Sequence, residues 1–290
     1  MKRIAETDLI LNADGSVYHL NLLPGDVADT VITVGDQDRV GEITQYFDHT
    51  ELKKGKREFI THTGTIGNKR LTVISSGIGT DNIDIVLNEL DALVNIDFNT
   101  RIPHTNLRSL NIIRIGTSGA VQADIPIDSL LVSSAAFGLD ALMHYYKQNT
   151  SENEQKLLTD FISALPKDYT LSPYIASADS TLLNTLGQGL LQGITITAPG
   201  FYAPQGRQVR AENIMPDLMT IIQNFNSAGH RITNLEMETA GIYGLAASLG
   251  HKAISFNVIL ANRATQTFSK QPAKIMDHYI KQLLDKIIAL

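Results

Sequence analysis

Short runs rich in Val, Ile and Thr alternate along the chain with longer segments of helical period, and this alternation restricts the fold more than any other feature. Thr30 to Val34, Leu71 to Ser75, Asn111 to Ile115, Ser129 to Ser133, Ile194 to Thr197 and Ala253 to Leu260 read as strands. Most lack polar alternation, as suits a sheet covered on both faces. Between them, Ile83, Val86, Leu87, Leu90, Leu93 and Val94 line one face of a first long helix. Ser151 followed by Glu154 fits a capping box opening a helix through Phe161 to Leu165. Glu236 to Leu249 reads as a small-residue-rich helix with Gly250 as its stop signal. Ile275, Tyr279, Leu283 and Ile287 mark an amphipathic terminal helix. This order predicts an α/β sandwich, and no linker rich in Pro, Gly or Ser divides residues 1–290, so one domain is expected. The polar stretch Asn95 to Arg108, with Pro103 and His104, reads as a surface insertion between a helix and a strand.

Composition removes several classes of function. The net charge is −6, and no run of like charges forms the basic stripe with which nucleic-acid binders displace counterions. Anion binding must therefore come from a few aimed arginines. The absence of cysteine removes disulfides and thiolate chemistry. The N-terminal stretch has charges but no unbroken apolar run, and no segment has the apolar length of a membrane span. A cytoplasmic protein without membrane or nucleic-acid partners is expected. The eight histidines include no HExxH or metal-like cluster, so no metal site is expected, and neither GxSxG nor a Walker A motif occurs.

Five motifs carry chemistry. Gly35-Asp36-Gln37-Asp38-Arg39 follows a strand, where a glycine lets backbone amides approach an anion and the arginine clamps it; a plain turn with a solvated arginine is the alternative. Ser76-Gly77-Ile78-Gly79-Thr80 lacks a third glycine, since Asn82 stands in its place, and close strand–helix packing explains its glycines as well as a ligand does. Arg114, in Arg114-Ile115-Gly116-Thr117-Ser118-Gly119, sits inside an apolar strand and needs an anionic partner, either a core carboxylate or a bound ligand. Thr117 and the glycines beside it offer a hydroxyl and free amides. In Phe201-Tyr202-Ala203-Pro204-Gln205-Gly206-Arg207, Gln205 and Arg207 match the edge of a planar heterocycle, and Phe201 is placed to pack on ring or sugar. Asn234-Leu235-Glu236-Met237-Glu238-Thr239 reads as a helix opening, with its glutamates either complementing the helix dipole or, at Glu238, binding vicinal sugar hydroxyls while Met237 packs on the sugar. Two carboxylates two residues apart do not share a helix face, which argues against a paired acid/base dyad.

In order and spacing, these five motifs resemble the nucleoside phosphorylase-I family, and within it the uridine phosphorylases, from about Tyr18 to about Gln266. The resemblance implies a three-layer sandwich with a central mixed β-sheet flanked by helices. It implies a pentosyltransferase acting on uridine and inorganic phosphate, with no organic cofactor. The implied phosphate ligands are Gly35, Arg39, Arg114 and Thr117, joined by Arg57 of Arg57-Glu58-Phe59 from a neighbouring subunit. His19 is implied to reach a ribose across the same interface of a homodimer, or of a hexamer built from dimers. Glu236, Met237 and Glu238 match the ribose signature, Gln205 and Arg207 the uracil edge, and Arg263 the arginine supporting the base site. The implied catalytic set is Arg207, Gln205, Glu238 and Arg114. A monovalent cation at Glu58 is held in some members with the help of a serine that is Asn82 here. Purine phosphorylases of the family present a Ser-Asp pair where this chain has Ala261-Asn262-Arg263-Ala264, which favours the pyrimidine branch. A purine phosphorylase, a nucleosidase and a nucleoside-binding protein without turnover are the alternatives.

Overall fold

In the computed structural model, which describes residues 2–290, a mixed β-sheet is flanked by helices on both faces. β1 (Thr30–Val34) leads into α1 (Gln37–Thr44), then β2 (His49–Lys56), β3 (Phe59–Ile66), β4 (Lys69–Ser75) and α2 (Thr80–Asn95). A ribbon of β5 (Ile96–Asp97) and β6 (Ile102–Pro103) precedes β7 (Asn111–Ala120) and β8 (Leu130–Gly138). Next come α3 (Glu152–Ala164), β9 (Tyr174–Ser177), α4 (Ser180–Leu186), β10 (Leu191–Thr197), α5 (Leu218–Asn224), β11 (Asn226–Ser227) and β12 (His230–Glu236). The last elements are α6 (Thr239–Leu249), β13 (Lys252–Asn262), β14 (Thr267–Phe268) and α7 (Pro272–Ile287).

The strand order is β11-β12-β10-β8-β13-β7-β1-β4-β3-β2, with β9 beside β8 and β14 beside β13. One further pairing bends this sheet: Gly119 and Ala120 of β7 bond antiparallel to Leu235 and Asn234 of β12. Thus β7, β13, β8, β10 and β12 close into a small barrel, from which β1, β4, β3 and β2 extend as an open sheet. Pairing between β1 and β7 ends at Thr33–Arg114, yet β7 runs on to Ala120. One edge of β7 from Ile115 to Ser118 therefore has no partner strand among the described residues.

Side chains alternate across the strands, as the pleat requires. Val31, Ile74 and Ile112 join a core with α2 and α6, while Ile32, Val73 and Ile113 join another with α1, α4 and α7. Apolar faces on both sides explain the missing polar alternation. A third core stacks Phe137 on Phe161 of α3, with Phe225 edge-on to both.

Several elements differ from the sequence reading. The strands starting at Asn111 and near Ser129 are about twice as long as expected: laddering of Gly116 to Ser118 against Asn257 to Ile259 overrides the low strand propensity of glycine in the first, and pairing of Ala135 to Gly138 with Ile194 to Thr197 extends the second. β2, an edge strand without an apolar run, and β12, whose Asn234 and Glu236 turn inward, gave no strand signal. Glu236 is not helical: it ends β12, and α6 starts at Thr239 with Glu238 at its N-cap. Gly250 does end that helix, at φ 80°. The buried stripe of α7 is Met276, Ile280, Leu283, Leu284 and Ile287, with Ile275 and Tyr279 at its margin. The insertion after α2 is clamped at its base, where the Asn95 amide accepts from the Arg108 N–H at 2.7 Å and donates to its carbonyl at 3.1 Å.

The expected capping box forms at Ser151 and Glu154, and Phe161 is the residue of α3 that is fully buried. Phe161→Ala should therefore cost about 3–5 kcal/mol through the cavity it leaves. Ser151→Ala should cost about 1 kcal/mol through the lost cap. Urea unfolding midpoints of the two variants test this order; equal losses would mean that α3 is held by its cap and not by the aromatic stack.

Candidate active site

A cleft of about 830 Å³ opens where β7 runs past the end of β1. Gly35 and Arg39 line it from the β1–α1 turn, and Arg114 and Gly116 to Gly119 from β7. Phe201, Gln205 and Arg207 reach it from the loop after β10, and Glu236, Met237 and Glu238 from the β12–α6 junction. The structure thus brings most of the sequence-selected residues to one place.

Arg114 is the buried centre of this cleft. Its Nη2 donates to Glu238 Oε2 at 2.7 Å and lies 3.1 Å from Glu236 Oε2. Its Nη1 donates to Asn257 Oδ1 at 3.0 Å and to Ser255 Oγ at 3.4 Å. Of the two partners left open by the sequence, the core carboxylate is the one found, and only Nε remains for a ligand. The guanidinium folds over Gly116, where a Cβ would stand 2.3 Å from Nη1. Glycine is required at that position by this close approach.

The two glutamates play unlike parts. Glu236 accepts from the N–H groups of Glu238 and Thr239, both at 2.9 Å, and from the Thr197 hydroxyl at 2.6 Å, so it caps α6 from the end of β12. Glu238 accepts from the Gly79 N–H at 2.9 Å through Oε1. The Gly77–Gly79 turn, with both glycines at positive φ, therefore holds the site and does not merely allow strand–helix packing. The two carboxylates do not share a helix face, since they span a strand–helix junction, but its bend aims both at one arginine. Burial pushes the Glu238 carboxyl above the usual carboxylate range, with Arg114 opposing and Glu236 adding to the rise. Burial also works against the Arg114 charge, but two carboxylates outweigh it and its pKa is raised. One guanidinium thus stands between two carboxyl groups.

Arg39 stands in the first turn of α1, and its Nε is buried without a hydrogen-bond partner. Glu42 is its nearest carboxylate, at 4.0 Å. Burial lowers its pKa, as does the neighbouring Arg114 charge. Thr117 is half-buried on the same wall.

At the other end, Arg207 donates to Gln205 Oε1 at 2.6 Å and to the Phe201 carbonyl at 2.7 Å, and lies 3.9 Å over the Phe201 ring. Arg263 donates to the Gln205 carbonyl at 2.7 Å. Burial lowers the pKa of both arginines, and at Arg207 the Arg263 charge adds to it. This stack holds Gln205 through its two oxygens, while its Nε2 makes no hydrogen bond among the described residues.

His19 and Arg57 are not among the residues lining the cleft of their own chain. Both gather at Tyr18, whose ring packs edge-on to His19 and lies 5.9 Å from the Arg57 guanidinium. His19 Nδ1 is 2.7 Å from Glu89 Oε1. Glu58 does line the cleft, beside Gly77 and Asn82. Among the described residues no three His, Asp or Glu side chains cluster as metal ligands, and no helix is long and apolar enough to cross a membrane. Ser118 and Gly79 lie within motifs of the sequence, but Asn257 does not; a polar residue inside an apolar strand is the signal that could have found it.

Residues 29–289 match the sequence profile of the Phosphorylase superfamily. The uridine phosphorylase of Thermococcus kodakarensis is 30% identical over 261 residues, which cover 90% of this chain and 83% of that protein. A purine nucleoside phosphorylase DeoD-type of Tolumonas auensis is 25% identical over 273 residues, 93% of this chain and 98% of its own. Among solved structures, a Trypanosoma brucei nucleoside phosphorylase with uridine phosphorylase activity superposes with a TM-score of 0.86 at 28% identity, covering 98% of this chain and 100% of its own.

The raised Glu238 pKa has a consequence for stability. The folded state keeps this proton over a pH window in which the unfolded chain has lost it. The carboxyl's contribution is present below the unfolded value and is lost as pH rises through the folded one. Glu238→Gln, neutral throughout, should gain stability relative to the wild type as pH rises above the ordinary carboxylate value of about 4. Urea midpoints of both proteins across that range check this, and a difference independent of pH would overturn it.

Proposed function

The chain belongs to the phosphorylase superfamily, and from that premise we propose that it cleaves uridine with inorganic phosphate, reversibly, to uracil and ribose 1-phosphate. One observation carries this reading: a single cleft has an unpaired buried arginine donor at Arg39 and, at the other end, the braced Gln205–Arg207 edge. The first suits a phosphate, the second a heterocycle bearing carbonyl and imide groups. We read residues 1–290 as one such domain, working in the cytoplasm without an organic cofactor.

Phosphate is assigned to Arg39 and Thr117, over Gly35 and Gly116. Arg114, with its terminal nitrogens engaged, contributes Nε and its charge, and its main task is to hold Glu238. Glu238 accepts hydrogen bonds from the ribose hydroxyls and Met237 packs on the sugar. A phosphate oxygen forms a bond to C1′ as the C1′–N1 bond breaks, its electron pair leaving with the base. The sugar gains oxocarbenium character, which phosphate stabilises from below. Arg207 and Gln205 meet the charge growing on uracil in a preorganised site. His19 and Arg57 are assigned to the cleft of a neighbouring subunit in a homodimer, alone or within a hexamer.

A nucleoside panel assayed with and without phosphate tests the substrate. Uridine should outrun inosine and adenosine, and turnover should stop without phosphate. Arg207→Ala should lower kcat by about a hundredfold or more, whereas Arg39→Ala should chiefly raise the KM for phosphate. Faster inosine cleavage, or cleavage in phosphate-free buffer, would sink the reading.

The shared site has its own test. Arg57→Ala and Glu238→Gln homodimers should each be nearly inactive. Unfolded and refolded together, half the dimers are mixed, and each of these has one site with both defects and one with neither. About a quarter of wild-type activity should return. No recovery, with exchange verified by mass spectrometry, would put both groups in one subunit's site.

A further inference from the structure

The small barrel encloses a ring of polar side chains, one or two from each strand. Arg114 on β7 donates to Asn257 Oδ1 on β13 at 3.0 Å, and Asn257 Nδ2 donates to Ser133 Oγ on β8 at 3.0 Å. The Ser133 hydroxyl lies 2.5 Å from that of Thr195 on β10. Thr195 Oγ1 is 2.9 Å from Asn234 Oδ1 on β12, and Asn234 Nδ2 donates to Ser118 Oγ, back on β7, at 2.9 Å. The bonds visit the strands in the order in which the barrel closes. Ser133, Thr195, Asn234 and Asn257 have no solvent exposure, so water cannot satisfy any of them.

The direction of every bond follows from its head. A guanidinium only donates, so Asn257 must turn its oxygen to Arg114 and its amide N–H to Ser133. The Ser133 proton then has one acceptor within reach, Thr195, and the Thr195 proton has only Asn234 Oδ1. Thr233 shares its single proton between that oxygen and the Ile194 carbonyl, which leaves Thr195 as the committed donor. Asn234 therefore presents its N–H groups to Ser118, and Ser118 Oγ is an acceptor inside the protein. Its own proton has no acceptor there. Ser118 lines the cleft between Thr117 and Gly119, and Gly119 lies against Arg263, so the free proton is at the base end.

We propose that this ring leaves Ser118 with a proton that only the ligand can accept, so that the site favours a carbonyl oxygen at that position over an amino group. The identity of the ligand rests on the nucleoside reading above; the direction of the ring does not. Ser118 Oγ keeps a second lone pair, but an amino group donating to it would leave the serine proton without an acceptor, because Asn234 turns its N–H groups and not its oxygen to Ser118.

Thr195→Val keeps the shape of a residue that is not part of the cleft lining and breaks the ring. Asn234 is then free to turn, and Ser118 to accept. The ratio of kcat/KM for uridine over cytidine should fall about tenfold, the loss of one oriented hydrogen bond, with the KM for phosphate unchanged. Thr195→Ser, which keeps the hydroxyl, should retain the wild-type ratio. An unchanged ratio in folded Thr195→Val, or an equal fall in Thr195→Ser, would overturn the proposal. Neutron diffraction on the wild type decides the same point without a variant. A deuteron on Ser118 Oγ aimed into the cleft supports the ring, and one aimed at Asn234 refutes it. A wild type that cleaves no nucleoside would remove the function proposed above, while the neutron result would still decide the ring.

Discussion

One buried guanidinium holds the cleft together. Arg114 lies in the middle of a strand whose neighbours are apolar, and a charge left unpaired there would cost several kcal/mol. It is matched by Glu236 and Glu238 from a segment more than a hundred positions later, and by Asn257 and Ser255 from the adjoining strand. Each partner is itself tied elsewhere: Glu236 to the start of α6, Glu238 to the Gly79 amide, Asn257 to Ser133. Moving any of them disturbs the others, so the pair that fixes the fold also fixes the ligand-facing carboxylate.

The cleft exists because two neighbouring strands differ in length. β1 turns away after Val34 while β7 continues, and the edge of β7 left without a partner becomes a wall. Gly116 admits the arginine over that wall and Gly119 leaves room against Arg263. The return pairing of β7 with β12 carries Glu236 to Glu238 across to face Gly35 and Arg39. Without that closure Gly35 and Arg39 would lie on a different part of an open sheet from Glu236 to Glu238.

Charge is distributed to suit an anion and a leaving base. The floor of the cleft carries Arg114 between two carboxyl groups, and the other arginines stand at its two ends. Burial disfavours the charge of Arg39, Arg207 and Arg263, so each gains from an anionic or electron-rich partner. The site is thereby prepared before any ligand arrives, which is the condition for electrostatic stabilisation of a transition state.

The sequence alone determined the architecture and most of the chemistry. Val/Ile/Thr runs buried on both faces, the α2 stripe, the Ser151 cap and the Gly250 stop are local signals, readable because they depend on near neighbours in the chain. The arginines and carboxylates of the cleft were legible as motifs because charged residues inside apolar patterns demand partners. What the motifs left open was which partner each one takes. That Glu236 ends a strand and caps a helix, that two carboxylates meet on one arginine, and that Asn257 and Ser118 belong to one ring all depend on the β7–β12 closure. Apart from the Glu236 cap, which joins near neighbours, these are contacts between residues more than a hundred positions apart, and only the tertiary structure decides them, because local propensity carries no information about which distant strands pair.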